Sequence, residues 1–445
     1  MEAAEVRELY EIQYSDLILL SSSSSSSSCS YHQEKMIMEN LGPTGPGLLA
    51  IKNVPDASLL RRKLLPLARK LALLSPDDRK RILREHNLGS DVPLKNPDRN
   101  VSSFAMQLKY AQGLESFENK PSHRGCSHLS LEKENTGRIS DFEDDEFDGL
   151  ESMFKELGFC MMEIGLCVAR ICDRVIGGNE LEQSLLESCA AKGRLIHYHS
   201  IVDSLVLREA GRRKGSTNRH ANNHARSEQR LSKGANLDTN ANQVRSCEIH
   251  HNLWQQWHYD YGIFTVLTDP MFLLSSQPTE SSEVYISSYQ ECASPSGNSY
   301  LQIYDPNKNK VLTVKSSAES FIVQVGESAD IISKGRLRST LHCVCRPARL
   351  DNLSRETFVV FLQPAWSKTF SISDYSLEHY NSGCQSLEKA EENTAADQEQ
   401  NSLGREIQKI VPPLSARLKD GMTFAEFSRE TTKQYYGGSG LQSNK

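Results

Sequence analysis

The residues best equipped for chemistry lie in the segment Trp257-His258-Tyr259-Asp260-Tyr261-Gly262, with His342 and Arg355 well downstream. His258 and Asp260 are two apart, so on a β-strand both side chains leave the same face. Two imidazoles and one carboxylate on one side of a metal, with the other positions open, are the donor set that suits Fe(II) where oxygen is to be activated. His342 is the candidate third ligand. Arg355 offers a planar fork that can hold a carboxylate by two parallel hydrogen bonds.

Spacing alone does not establish such a site. A chain with 13 His is expected to contain about 0.6 His-x-Asp pairs by chance. A decoy, His32-x-Glu34, sits in a serine-rich stretch unsuited to a core strand. Taken singly, each residue has a plainer reading. His258 is then a surface or satisfied core histidine, and Asp260 a turn acid. His342 is a strand residue bonded to backbone, and Arg355 a surface ion-pair partner. The surrounding elements have to decide.

Those elements change character halfway along the chain. In the first half, Tyr14–Leu20 reads as a short strand and the eight serines from Ser21 to Ser28 as a flexible loop. Residues 34–40 suit a helix, and Gly47–Val54 a buried strand. Asp56 is a candidate cap for a helix running to Leu74, with Leu59, Leu60, Leu64, Leu67, Leu71 and Leu74 on one face. Ser75-Pro76-Asp77-Asp78 starts another helix with a cap, a first-turn proline and acids at its positive end. Ser103–Tyr110 reads as a short strand. The acidic stretch Asp141–Asp148 leads into the longest helix, Phe147–Val175.

The second half is a series of short β-branched or aromatic runs separated by turn residues: 194–201, 250–261, 264–274, 299–304, 310–315, 321–325, 330–333, 341–346 and 357–363. Such a series indicates an antiparallel sandwich or jelly roll. The expected class is mainly β with flanking helices and an N-terminal α/β region. Polar insertions at 211–248 and 275–298 interrupt the series and read as mobile surface loops. Gly211–Gly234 carries seven Lys/Arg and one Glu, so a nuclear-import signal or an acidic-partner patch stands as an alternative to a solvated loop. Gln385–Arg405 reads as an acidic linker, and Met422–Tyr436 as a final helix with Phe424, Phe427 and Tyr435 facing the body. The expected division is 1–192, a helical and mixed region; 193–365, the jelly roll; and 366–445, linker and C-terminal helix.

Composition narrows the class. The chain has 445 residues, 38% of them hydrophobic, and a net charge of −6. That charge gives no global reason for nucleic-acid or membrane binding. No apolar run approaches the ~18 residues that span a bilayer, and no secretory start is visible. The 11 cysteines are odd in number and lack Cys-x-x-Cys pairs, which fits reduced thiols in an intracellular protein. Zinc binding by Cys343 and Cys345 is an alternative to core packing. A cytoplasmic monomer is the expectation, with the nucleus possible through the basic insertion.

The order of elements resembles the 2-oxoglutarate/Fe(II)-dependent dioxygenases of the isopenicillin N synthase-like superfamily, abundant in plants, from about Tyr14 to Val360. Gly47-Leu48-Leu49-Ala50-Ile51-Lys52-Asn53-Val54 stands where the family has Gly-Phe-Phe-x-Val-x-Asn-His. His258-Tyr259-Asp260-Tyr261-Gly262-Ile263-Phe264-Thr265-Val266-Leu267 is similar to its His-Thr-Asp-x-Gly-x-Leu-Thr-x-Leu. Ser333-Lys334-Gly335-Arg336-Leu337-Arg338-Ser339-Thr340-Leu341-His342 is similar to its Ser-Asn-Gly-Arg-x-x-Ser-x-x-His, and this longer match points to His342 as the distal ligand. Two departures stand out. The family's Arg-x-Ser is Arg355-Glu356-Thr357 here, which keeps a hydroxyl. Its Asn-Tyr-Tyr-Pro strand is His197-Tyr198-His199-Ser200, which keeps one tyrosine.

The resemblance implies a double-stranded β-helix (jelly-roll) core. It implies Fe(II) held by His258, Asp260 and His342, and 2-oxoglutarate contacted by Arg355, Thr357 and Tyr198. With O₂ as the other cosubstrate, a small organic molecule would be hydroxylated or desaturated while 2-oxoglutarate becomes succinate. An apolar pocket around the oxidant is expected, with Phe264 and Phe361 as lining or as plain core. Two rival readings are a non-catalytic jelly-roll interaction protein that keeps the metal site, and a metal enzyme that does without 2-oxoglutarate.

Overall fold

A computed structural model describes residues 5–22, 28–90, 100–110, 144–216, 253–275, 288–348, 350–372, 375 and 410–436. In chain order its strands are β1 (Glu5–Glu8), β2 (Glu11–Gln13), β3 (Leu48–Lys52), β4 (Gly89–Ser90), β5 (Val101–Lys109), β6 (Ala190–Tyr198), β7 (Leu253–His258), β8 (Phe264–Thr268), β9 (Met271–Ser275), β10 (Tyr289–Cys292), β11 (Leu301–Asp305), β12 (Lys310–Lys315), β13 (Phe321–Val325), β14 (His342–Cys345) and β15 (Leu353–Leu362). They form two sheets. The smaller runs β1-β12-β11-β14-β7, and the larger runs β2-β3-β13-β8-β15-β6-β5-β4, with β9 on β15 and β10 on β9. Pairing is antiparallel except at β1/β12 and β2/β3.

Alternation along the strands assigns the two faces of the larger sheet. On β15, Phe358, Val360 and Leu362 join a core with Phe154, Leu157 and Met161 of the helix Leu150–Ile176. Val359 points the other way, into the space between the sheets, with Trp254, Ile303 and Val344. By the same period of two, Arg355 and Thr357 face that inner space. Phe361 packs against the inner core, whereas Phe264 belongs to the helix-side core. The sandwich therefore has a dry outer face covered by helices and an inner face that carries the polar groups of interest.

Several elements differ from the sequence expectation. Tyr14–Ser22 is a helix, and the strand is the three residues before it. Leu17 and Leu20, one turn apart, are buried, and Tyr14 Oη donates to Glu163 of the long helix at 2.7 Å. That docking favours the helix. Residues 330–332 belong to a helix in place of a strand, Glu327–Ile332, which Ser333 follows and whose first amides are bound by backbone far away in sequence. Within 275–298, Tyr289–Cys292 is not loop but a strand pairing with β9. Residues 264–274 form two strands, broken at Asp269-Pro270. Asp56 does not cap through its side chain; its φ is 58° and no such bond forms. Ser75 does cap, accepting from the Asp78 amide.

Two expectations fall on other ground. The acidic stretch 385–405 and the basic insertion beyond Ser216 lie outside the described residues. The decoy acid Glu34 pairs with Arg174 at 2.6 Å on a helix surface. The expected final helix is present as Phe424–Tyr436, with Phe424 and Phe427 fully buried. No helix among the described residues is long and apolar enough to cross a membrane.

Candidate active site

β7 ends on His258 and β14 begins on His342, and these two residues are register partners. Their rings meet with centroids 4.2 Å apart. Asp260 is not on the strand. It lies in the turn after β7, so the period-of-two reading is not what brings it to His258. Backbone ties do that: the Glu327 amide donates to Asp260 O at 2.8 Å, and Ser328 to Gly262 O at 3.0 Å. Gly262 is required here, because a Cβ would stand 2.7 Å from Leu362 O. The result is one cluster in which donor atoms of His258, Asp260 and His342 lie within 4.8 Å of one another, all three residues buried.

Hydrogen bonds orient all three side chains. His258 Nδ1 donates to Gln256 O at 2.7 Å and His342 Nδ1 to Thr340 O at 3.0 Å. Each Nε2 turns toward the Asp260 carboxylate, at 3.8 Å for His258 and 3.9 Å for His342, on the side where a metal would sit. Asp260 Oδ2 accepts from Thr265 Oγ1 at 2.7 Å and from Gln324 Nε2 at 3.2 Å. Oδ1 faces His258 Nε2 at 3.8 Å. Burial, reinforced by His342, pushes His258 down to about 4, so the imidazole is neutral near pH 7. Two imidazoles with an oriented carboxylate fit a divalent cation of the Fe(II) kind. Gln324 Oε1, buried and without a partner among the described residues, is an acceptor left for what such a metal carries.

Two glutamines matter that the sequence reading missed. Gln324 is the polar residue in the otherwise apolar strand β13, a signal in itself. Gln255 links the metal cluster to the far end of the cavity. Its Nε2 lies 2.9 Å from His258 Nε2, and its Oε1 accepts from Tyr198 Oη at 2.8 Å. Tyr198 is in turn the register partner of Arg355, whose guanidinium sits 5.1 Å from its ring.

Arg355 is 5% exposed, and its Nε donates to Ser299 O at 3.1 Å. No carboxylate among the described residues pairs with it. Burial lowers its hold on the proton, opposed chiefly by Tyr198 and Asp269. A buried cation without a carboxylate partner is costly unless an anion arrives. Thr357, two residues along the same face, is buried with its hydroxyl 3.4 Å from Thr268 Oγ1. Cys343 and Cys345 lie apart from this space, in a small outer cluster with Trp257 and Leu341. Burial, then a hydrogen bond with Cys345, raises the Cys343 thiol, which keeps it protonated.

Residues 258–364 match the family model described as the 2OG-Fe(II) oxygenase superfamily. The match opens on His258 and takes in Asp260, His342, Arg355 and Thr357. This segment is a 2OG-Fe(II) oxygenase domain. It makes the chain an oxidoreductase that uses Fe(II) and 2-oxoglutarate, and the two-sheet architecture is that family's double-stranded β-helix. No curated protein matches the sequence. Among solved structures, a full-length Neurospora crassa protein in complex with alpha-KG and 5-formyluracil is 15% identical at a TM-score of 0.48, over 84% of this chain and 92% of its own. JOX2 in complex with 2OG, Fe and JA is 13% identical at 0.45, over 82% and 78%. The rice dioxygenase for auxin oxidation is 14% identical at 0.44, over 81% and 85%. Likenesses this distant carry nothing about substrate to the 2OG-Fe(II) oxygenase domain described here.

Proposed function

We propose that His258, Asp260 and His342 hold Fe(II), and that Arg355 and Thr357 take the far carboxylate of 2-oxoglutarate with Tyr198 beside it. On this reading the chain hydroxylates or desaturates a small organic molecule. Iron with 2-oxoglutarate and O₂ supplies the oxidant, the 2-oxo acid leaving as succinate and CO₂. The protein's own part is to bind and orient. The Arg355 fork fixes one end of the cosubstrate and the triad fixes the other. The apolar wall of Ile196, Trp254, Leu301, Ile303 and Val359 limits water between the sheets. The observation that supports this most is the convergence of three buried donors inside the segment that matches the family.

A non-catalytic scaffold is disfavoured by the same interior. Without ligands, the buried triad and Arg355, which pairs with no carboxylate among the described residues, carry a desolvation cost that their hydrogen bonds offset only in part. The test is succinate formation from 2-oxoglutarate by purified protein reconstituted anaerobically with Fe(II) and then given O₂. Slow uncoupled turnover that His342→Ala abolishes is expected. Iron binding without any succinate would move the assignment to an enzyme that does not use 2-oxoglutarate, and absence of both would favour the scaffold. We further propose a cytoplasmic monomer of the plant-type branch. Light scattering on the purified chain checks the oligomeric state, and imaging of a tagged chain checks the compartment.

A further inference from the structure

The family match ends at residue 364, yet chain beyond it reaches the turn that carries Asp260. Arg417, 1% exposed, donates from Nη1 to Glu327 Oε2 at 2.8 Å and from Nη2 to Glu327 Oε1 at 2.5 Å. It also donates to Pro412 O at 3.0 Å and to Thr431 Oγ1 at 3.1 Å. Its guanidinium lies between the rings of Phe427 and Tyr435, at 5.8 and 5.2 Å. Glu327, 3% exposed, is the residue whose amide donates to Asp260 O. On the other side of Asp260, the amide of Tyr259 donates to Tyr435 Oη at 3.4 Å. Both flanks of the aspartate are thus tied to the last described segment of the chain.

A buried ion pair is a poor device for stability, because an apolar pair of similar volume usually does as well. What a two-pronged Arg–carboxylate pair does supply is a fixed plane and direction. Here that direction sets the first turn of the helix Glu327–Ile332, and through it the carbonyl of Asp260. We propose that the C-terminal segment 410–436 positions the metal-ligand turn, Arg417 acting through Glu327 and Tyr435 through Tyr259. Arg417 and Tyr435 are positioning residues, two links removed from the metal. The inference rests on His258, Asp260 and His342 being the ligands.

The experiment uses the full chain and Mn(II), with affinity read by electron paramagnetic resonance in the presence of 2-oxoglutarate. Urea unfolding is followed in parallel. Glu327→Met combined with Arg417→Met removes both buried charges together and preserves the fold. We expect this folded double variant to bind Mn(II) about 10-fold more weakly, the size of loss usual for partners that orient ligands. Tyr435→Phe should weaken binding by about 3- to 5-fold, as for one neutral hydrogen bond. Arg417→Lys should lie between the wild type and the double variant. A folded double variant that binds Mn(II) within a factor of two of wild type overturns the proposal. If the double variant does not fold, Tyr435→Phe decides by the same criterion. Failure of the wild-type chain to bind Mn(II) would instead sink the ligand assignment, and with it this inference.

Discussion

Asp260 is held at Oδ2 by Thr265 and Gln324 and at its carbonyl by Glu327, and the amide of the preceding residue, Tyr259, donates to Tyr435. Because partners that merely orient ligands are worth 10- to 100-fold, Asp260→Ala should cost more than ~100-fold in Mn(II) affinity. Its circular dichroism should stay that of wild type. Arg355 should separate from this behaviour. Arg355→Gln removes the charge proposed to hold the cosubstrate, and we expect 2-oxoglutarate to bind about 100-fold more weakly, the worth of a charged hydrogen-bond pair, with Mn(II) affinity unchanged. Calorimetry with each ligand in turn checks both. His258 gives a pH signature to the metal-free protein. Its folded value of about 4 lies below its ordinary 6.5, so the unfolded chain takes up the proton first. Stability should be level above about 6.5, fall as the pH drops toward about 4, and lose ~3 kcal/mol over that window. His258→Gln should flatten the window in urea titrations at each pH.

At the scale of elements, the strand pair β6/β15 separates two kinds of chemistry by its faces. Tyr198 and Arg355 look inward, while their neighbours His197 and Glu356 look outward into a fully buried network. There His197 Nδ1 meets Glu356 at 2.9 Å, and Asp203 meets Arg69 at 3.1 Å, all with no exposure. Burial alone would raise the Asp203 carboxyl, but His197, Arg69 and Ser200 outweigh it and hold it below its ordinary range. Asp203 also accepts from Ser200 at the start of the helix Ile201–Ser216. Asp203→Ala breaks the buried pair with Arg69 and the bonds from Ser200, so a loss of about 3–5 kcal/mol in urea unfolding is expected. Gly326 is the hinge between β13 and the following helix. A Cβ there would stand 2.3 Å from Gly262 O and 3.0 Å from Asp260 O. Gly326→Ala must shift backbone, which should lower stability by about 1–3 kcal/mol and weaken Mn(II) binding in the same variant.

Over the whole molecule, the segment before residue 193 is woven into the sandwich. β1 completes the smaller sheet, and β2 to β5 occupy both ends of the larger one. The helix-side core draws continuously on residues from Ile12 to Leu362. The proposed jelly-roll domain 193–365 should therefore not fold alone. Expressed as a fragment, it would lack β3 beside β13 and β5 beside β6. We expect no cooperative thermal transition for the fragment, against one for the full chain, by circular dichroism.

By itself the sequence made His258, Asp260, His342 and Arg355 the candidates, in that order, and indicated a series of short strands to carry them. Spacing, turn residues and the long motif from Ser333 to His342 are local properties, and so they are legible before any fold is known. The tertiary structure decided where Asp260 stands, since it is off the strand and held by Glu327. It brought Tyr198 opposite Arg355 through strand register. It recruited Gln255 and Gln324, and it made helices of Tyr14–Ser22 and Glu327–Ile332. Each of these rests on a partner distant in the chain, as Arg417 is 90 residues from Glu327. Residue spacing carries no record of such partners, because packing free energy is settled only when the sheets and helices meet.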